Sequence, residues 1–327
     1  MINTLLETFL AKNDPKTDII DQASESQQRL REILASKLEE DDSLPFILEG
    51  EDFLFGSAIR RTKPAPFDDI DLLLVLDGAT LNAIEAGQNM GQAYGSGRNY
   101  NPLVLPKYLD ENGHVSSQKV LNHIRATLSE TYSRSEIRKD GQAINIWLDS
   151  YGFGIDVVPA VKIDHINHGP HYFIPQGTNS DNWMSTNPWS DLIAFDTEDK
   201  RLGGILTSTC RIMRKWNELS NNRRLSGFHV DALTFKALEY KSITTLENAI
   251  RECFACFNQL LSVPCPQFSG FSPDIDSKLT PGNRFLSCRK IQEANDYLTS
   301  SRDVLPSTLG NQSLRSWNLI FNGELTK

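Results

Sequence analysis

Three aspartates and a glycine–serine pair are the residues of this sequence whose types and spacing could do chemistry. Phe55-Gly56-Ser57 precedes a polar loop, which leads to Asp69-Ile70-Asp71 at the head of the apolar run Ile70–Leu76. In an extended strand, residues i and i+2 project from one face, so Asp69 and Asp71 point together, their Cα atoms about 7 Å apart. Two carboxylates on one face repel, and a cation between them relieves the repulsion. A hard divalent ion such as Mg²⁺, bound by one or two carboxylates plus substrate phosphates, suits the pair. Asp156 is a lone charge inside the apolar run Gly154-Ile155-Asp156-Val157-Val158-Pro159, a costly place for a carboxylate with no task or partner. Three carboxylates on two neighbouring strands can hold two metal ions about 3.5–4 Å apart, the arrangement of two-metal phosphoryl transfer. Gly56 would let a phosphate approach the backbone, while Ser57 can donate to a phosphate oxygen from its N–H and its hydroxyl. Asp68 falls one residue out of step and points to the opposite face.

The elements that must position these groups follow from the hydrophobic period. Leu5, Leu6, Phe9 and Leu10 repeat at helical spacing, and a second helix is expected from about Asp18 to Leu38 after the Asn13-Asp14-Pro15 break. The period then shortens. A strand at 52–55 is expected to end at Gly56-Ser57, and the unbroken apolar run through Leu76 reads as a central strand covered on both faces. Gly87 to Gly97 holds four glycines in eleven positions and reads as a loop or mobile insertion. Ser117 to Tyr132 is helical, with Val120, Leu121, Ile124 and Leu128 on one stripe. Ala143–Leu148 and Gly154–Pro159 form a hairpin about Asp149 to Phe153. Residues 160 to 190 read as a long loop with a short strand at His171–Ile174. From Ser190 onward the pattern is helical, clearest over Leu192–Glu218, Phe228–Tyr240, Thr245–Leu261 and Arg284–Ser300. A mixed α/β N-terminal lobe followed by an all-helical lobe is expected.

Gly-Ser, a spacer, Asp-x-Asp and a later strand aspartate together resemble the polymerase-β-like nucleotidyltransferase superfamily. Within it, FGSAIRRTKPAPFDDIDLLLVL is similar to the core of the cGAS-like bacterial cyclic-oligonucleotide synthases (the CD-NTases). FGIDVVPAV resembles their third-carboxylate strand, and the run from Ile174-Pro175 to Asn187-Pro188 resembles the loop after it. Arg211–Asn217 resembles the first long helix of their C-terminal lobe, and Ser226-Gly227-Phe228-His229-Val230 their S-Y-H-[LV] motif. The likeness covers roughly residues 45 to 240.

The resemblance implies an α/β (α+β) fold: a polymerase-β-like core with a mixed sheet, a C-terminal helical lobe, and the active site in the cleft between them. The expected division is residues 1–190, the catalytic core with its N-terminal helices, and 191–327, the helical domain. It further implies that Asp69, Asp71 and Asp156 are catalytic metal ligands for Mg²⁺ (two ions, with Mn²⁺ an alternative). Gly56, Ser57, Arg214, Lys215 and Ser226 would bind the triphosphate, and Phe228 would stack on a nucleobase. Two departures stand out. Arg61 replaces the family's glycine in R-G-T, and Gly227-Phe228 replaces Ser-Tyr, losing a hydroxyl that Ser226 would have to supply. The implied activity is template-independent joining of NTPs, ATP among them, into a cyclic di- or trinucleotide that acts on a separate effector in anti-phage signalling. A linear oligonucleotide or tRNA-tail synthase, or a nucleotidylating toxin, is the alternative on the same core. A non-catalytic nucleotide sensor is a third, disfavoured by an intact carboxylate set.

Composition excludes several other classes. The chain has 327 residues with 33 basic and 42 acidic side chains, a net charge of −9 that is unsuited to stable nucleic-acid binding. No apolar run approaches the roughly 18 residues of a membrane span. Five scattered cysteines and an N-terminus without the features of a secretory signal point to a cytoplasmic setting. Cys253-x-x-Cys256, with Cys265 and Cys288 downstream, has zinc-ligand residue types. Cys253, however, shares a helical stripe with Leu246, Ile250, Phe254 and Phe257, and reads as a small hydrophobe. His165, His168 and His171 read as loop histidines because Gly169 and Pro170 break any helical face. Arg211, Arg214, Lys215, Arg223 and Arg224 form a basic cluster suited to phosphate.

Overall fold

In a computed structural model, the structure describes residues 1–15, 17–40, 53–66, 69–76, 81–85, 90–95, 105–149, 152–165, 169–177, 180–268, 275–300 and 309–326. Asp68 and His168 lie outside them, and the side chains of His165 and His171 are not described. The chain forms two compact units, one of Lys16–Ile59 and Phe67–Pro188, the other of Met1–Pro15, Arg60–Pro66 and Trp189–Lys327.

The first unit is a mixed sheet. Its strands are β1 (Phe53–Phe55), β2 (Asp69–Leu76), β3 (Leu81–Glu85), β4 (Met90–Gly95), β5 (Glu136–Asp140), β6 (Ala143–Leu148), β7 (Phe153–His165), β8 (Gly169–Pro175) and β9 (Trp183–Thr186). The main path runs β1-β2-β7-β8-β9-β4-β3, and β6 joins β7 to β5. Central β2 pairs antiparallel with β1 and parallel with β7. Strand β7 is long enough to take β6 along Phe153–Val157 and β8 along Val161–His165.

The register sorts the side chains by face. Ile70, Leu72, Leu74 and Leu76 of β2 enter a core with Ile155 and Val157 of β7 and Ile144 and Ile146 of β6. Leu30 and Leu34 of α2 (Thr17–Glu40) and Val120, Leu121, Ile124 and Leu128 of α4 (Ser117–Thr131) close this core. The opposite face carries a smaller apolar cluster, Leu73, Val75, Val158, Ala160, Tyr172 and Ile174, with Phe55 packed against it. Asp69, Asp71, Asn145 and Asp156 have the parity of this second face.

The second unit is helical: α1 (Ile2–Lys12), α5 (Pro188–Arg201), α6 (Ile205–Leu219), α7 (Gly227–Leu238), α8 (Leu246–Leu260), α9 (Pro281–Ser300) and α10 (Leu309–Ile320). One core includes Phe195, Leu206, Met213, Trp216, Leu233, Ile250, Phe254, Phe257, Ile291 and Trp317.

Several expectations are corrected. Helix α1 and residues 60–66, assigned by the sequence to the catalytic core, pack with the helical unit. Ile2, Leu6 and Phe9 are buried in its core, and Arg60 and Thr62 bond to Asp231 of α7. Part of the glycine-rich stretch is strand, because β4 pairs in full register with β3 and its start reaches β9. The helix read as Leu192–Glu218 is two, since Gly203 and Gly204 adopt φ 63° and 87°, in the left-handed region that glycine enters without a Cβ penalty. Strand β5, with its exposed alternation, and short β9 escaped the reading.

Candidate active site

Strand register places the carboxylates on one face. Asp71 stands opposite Asp156 in the parallel β2–β7 pair, and Asp69 precedes Asp71 by one same-face step. Neighbouring strands lie about 4.8 Å apart, so Asp71 and Asp156 are side by side, and Asp69 is about 7 Å from Asp71 along the strand. All three are half-buried. Asp69 and Asp71 are the polar residues of a strand whose other members, Ile70 and Leu72–Leu76, are buried. Packing on both faces thus holds the backbone beneath the two carboxylates.

Gly56 sits against the Asp71 carboxylate, and Ser57 follows it in the chain. Strand β1 ends at Phe55, opposite Asp71, and the chain turns at Gly56 into the single-turn helix α3 (Gly56–Ile59). Gly56 has φ 74°, and a Cβ there would lie 2.0 Å from Asp71 Oδ2. Only glycine satisfies both the backbone angle and the approach of that carboxylate. Ser57 is buried beside it.

Two residues that sequence reasoning missed complete this group. Asn145 of β6 stands opposite Asp156, and its Nδ2 donates to Asp156 Oδ1 at 2.8 Å. Gly154 leaves room for that amide, since a Cβ there would lie 2.9 Å from Asn145 Nδ2. The signal was present: Asn145 is a lone polar residue in Ala-Ile-Asn-Ile-Trp-Leu, as Asp156 is in its own strand.

The other sequence-assigned residues gather on α6 and α7, in the helical unit. Arg214 makes a bidentate pair with Asp231, from Nε to Oδ1 at 2.7 Å and from Nη2 to Oδ2 at 2.6 Å. Thr62 donates to the same carboxylate at 2.7 Å. Lys215 pairs with Glu218 at 2.7 Å and reaches the Ala65 carbonyl at 3.4 Å. Ser226 caps α7, its hydroxyl accepting the His229 N–H at 3.1 Å. Phe228 is half-buried, edge-on to Phe268 at 5.2 Å, with the Arg60 guanidinium 4.9 Å from its ring centre. Gly227 is tight against Arg214, whose Nη1 would be 2.6 Å from a Cβ. Arg214 thus pairs with Asp231, and Phe228 packs beside an aromatic ring and a guanidinium while staying half-buried. Arg61, where the resemblance places glycine, has φ 56° and accepts a hydrogen bond from Arg211 at its carbonyl.

Of the cysteines, Cys253 is fully buried in the helical core, and burial, then Cys256, pushes its thiol pKa well above the ordinary thiol range. Cys256 bonds to Glu252, and Lys241 approaches its sulfur at 3.5 Å.

Among the described residues, no three His, Cys, Asp or Glu side chains converge tightly enough to enclose a metal by themselves. The donor set suits an ion of another kind. Hard carboxylate oxygens on one strand face are the donor type that Mg²⁺ takes together with substrate phosphates rather than in an all-protein cage. Among the described residues, no helix is long and apolar enough to cross a membrane.

Comparison with known proteins agrees with this architecture. Two solved structures of CdnC from E. coli MS115-1, one described with ATP and one in complex with HORMA-deltaN, superpose with TM-scores of 0.70 and 0.67. They cover 99% and 98% of this chain and 98% and 97% of theirs, at 13% and 12% identity. The fold is thus the polymerase-β-like nucleotidyltransferase fold that CdnC has. Residues 103–197, which include Asn145 and Asp156, match the family model of the Second Messenger Oligonucleotide or Dinucleotide Synthetase (SMODS) domain. A probable cyclic nucleotide synthase of Bacillus cereus strain VD146 is 26% identical over 204 residues, an alignment spanning 61% of this chain and 60% of that relative.

Proposed function

We propose that this protein is a metal-dependent nucleotidyltransferase that joins NTPs into a cyclic di- or trinucleotide second messenger. The observation that carries the reading is the register of β2 and β7, which sets Asp71 beside Asp156 with Asp69 on the same face. The SMODS match and the likeness to a probable cyclic nucleotide synthase support the reaction class. The likeness to CdnC described with ATP supports an NTP substrate.

In this reading Asp69, Asp71 and Asp156 hold Mg²⁺, or Mn²⁺ in its place. The bound ions would lower the pKa of the attacking hydroxyl and neutralise charge on the leaving pyrophosphate. Gly56 and Ser57 hold the triphosphate of the donor NTP. A ribose hydroxyl of the acceptor attacks the α-phosphorus in line, the bond to the β-phosphate oxygen breaks, and the hydroxyl proton passes to Asp156. Lys215, Ser226 and Arg214, which also pairs with Asp231, contribute to triphosphate binding. The half-exposed ring of Phe228 stacks on a nucleobase. A second transfer on the linear product closes the ring. The cyclic product then acts on a separate effector, in anti-phage defence and in the cytoplasm.

The test is to incubate the protein with each labelled NTP, singly and mixed, with Mg²⁺ or Mn²⁺, followed by phosphatase. A phosphatase-resistant product is expected. A sensitive ladder indicates a linear synthase, and no product in any mixture overturns the enzymatic reading.

A further inference from the structure

We propose that Asn145 and Gly154 form a positioning device for Asp156, fixing which of its carboxylate oxygens is presented to a divalent cation. The inference rests on the reading of Asp156 as a metal ligand. Asn145 Nδ2 donates to Oδ1 of Asp156 at 2.8 Å, across directly paired residues of β6 and β7. That bond engages Oδ1 and fixes the carboxylate plane from the β6 edge of β7, the edge opposite the one that pairs Asp156 with Asp71 of β2. Gly154 supplies the steric side of the same arrangement. It lies one same-face step before Asp156 on β7, opposite Asp69 in the parallel pair, and any Cβ there would meet the Asn145 amide at 2.9 Å. The missing side chain is what lets the amide reach the carboxylate.

The three residues thus act as a unit: glycine makes space, amide aims, carboxylate binds. Side chains that orient a ligating carboxylate change metal affinity about 10- to 100-fold when removed. Both Asn145→Ala and Gly154→Ala should therefore weaken the site, the first by removing the donor and the second by displacing it.

The experiment titrates Mn²⁺ into the full chain with a non-hydrolysable ATP analogue and follows free Mn²⁺ by its electron paramagnetic resonance signal. Melting temperature and metal-free analogue binding are measured on the same samples. The expected result is a half-saturating Mn²⁺ concentration raised about 10- to 100-fold in both variants, with metal-free analogue binding unchanged. Asp156→Asn serves as the reference for a lost ligand. Should one variant fail to fold, the other decides. Unchanged half-saturation in a folded variant, against saturable uptake by the parent, overturns the positioning role while leaving the proposed function standing. Absence of saturable uptake by the parent overturns the metal site itself and this inference with it.

Discussion

Gly56 shows how a single position can serve two requirements. Its φ of 74° lies in the left-handed region, and Asp71 Oδ2 stands where a Cβ would be. Gly56→Ala should cost about 1–2 kcal/mol for the backbone alone. It should also drive Asp71 from its place, so NTP joining falls further than stability does. Denaturant midpoints and product formation, measured side by side, check this; a stable variant with full activity would contradict it. Asp69 and Asp71 are the complementary case. Their replacement by Asn in the double variant removes charge from one polar step of an otherwise buried strand, so the protein should stay folded and lose turnover. Substantial joining activity in that variant sinks the carboxylate assignment.

At the scale of elements, the buried carboxylate of Asp231 ties helices α6 and α7 to the segment Arg60–Pro66. It takes Arg214 bidentately and Thr62 at 2.7 Å, with Arg60 Nη2 at 3.5 Å. The Asp231 side chain is fully buried and that of Arg214 is 12% exposed, so losing the anion removes a buried counter-charge from two guanidinium groups. Removing one partner of such a buried pair costs about 3–5 kcal/mol. Asp231→Ala should lower the stability of the helical unit by that order, read by chemical denaturation. A change below about 1 kcal/mol, the range of exposed ion pairs, would show that Asp231 is not the tie.

For the whole molecule, acidification should unfold the protein in two stages. His229 is 2% exposed, and its imidazole is lowered to about 4, chiefly by burial and then by Arg284, against an opposing pull from Asp276. Between its ordinary value of 6.5 and about 4 the unfolded chain binds the proton and the folded chain does not. Stability is therefore complete above that window and falls by about 3 kcal/mol across it as pH drops. Glu198, Glu218, Glu252 and Asp276, each held below the ordinary carboxylate range, add a further loss at lower pH. His229→Gln should flatten the upper stage only; an unchanged slope there would exclude His229 as its source. Nucleotide should stabilise the fold mainly with divalent metal present. The gain should be about 2.7 kcal/mol at a hundredfold excess over the dissociation constant, read as a thermal shift. Equal shifts with and without metal would count against a metal-bridged triphosphate.

The sequence by itself determined the identity and parity of the carboxylates, because a period of two assigns Asp69 and Asp71 to one face without any tertiary information. It also determined the mixed core and the helical remainder, since long apolar periods declare themselves locally. Only the tertiary structure decided which strands are neighbours. The parallel pairing that brings Asp71 beside Asp156 joins residues 85 positions apart in the register, and nothing local encodes it. The same holds for Asn145, whose polarity was visible but whose partner was not. It holds too for Arg214, whose charge was visible but whose pairing with Asp231 was not. Helix α1 and Arg60–Pro66 changed units for the same reason: burial against Phe321 and bonding to Asp231 are long-range contacts. Such contacts depend on the whole chain closing, and no window of sequence contains them.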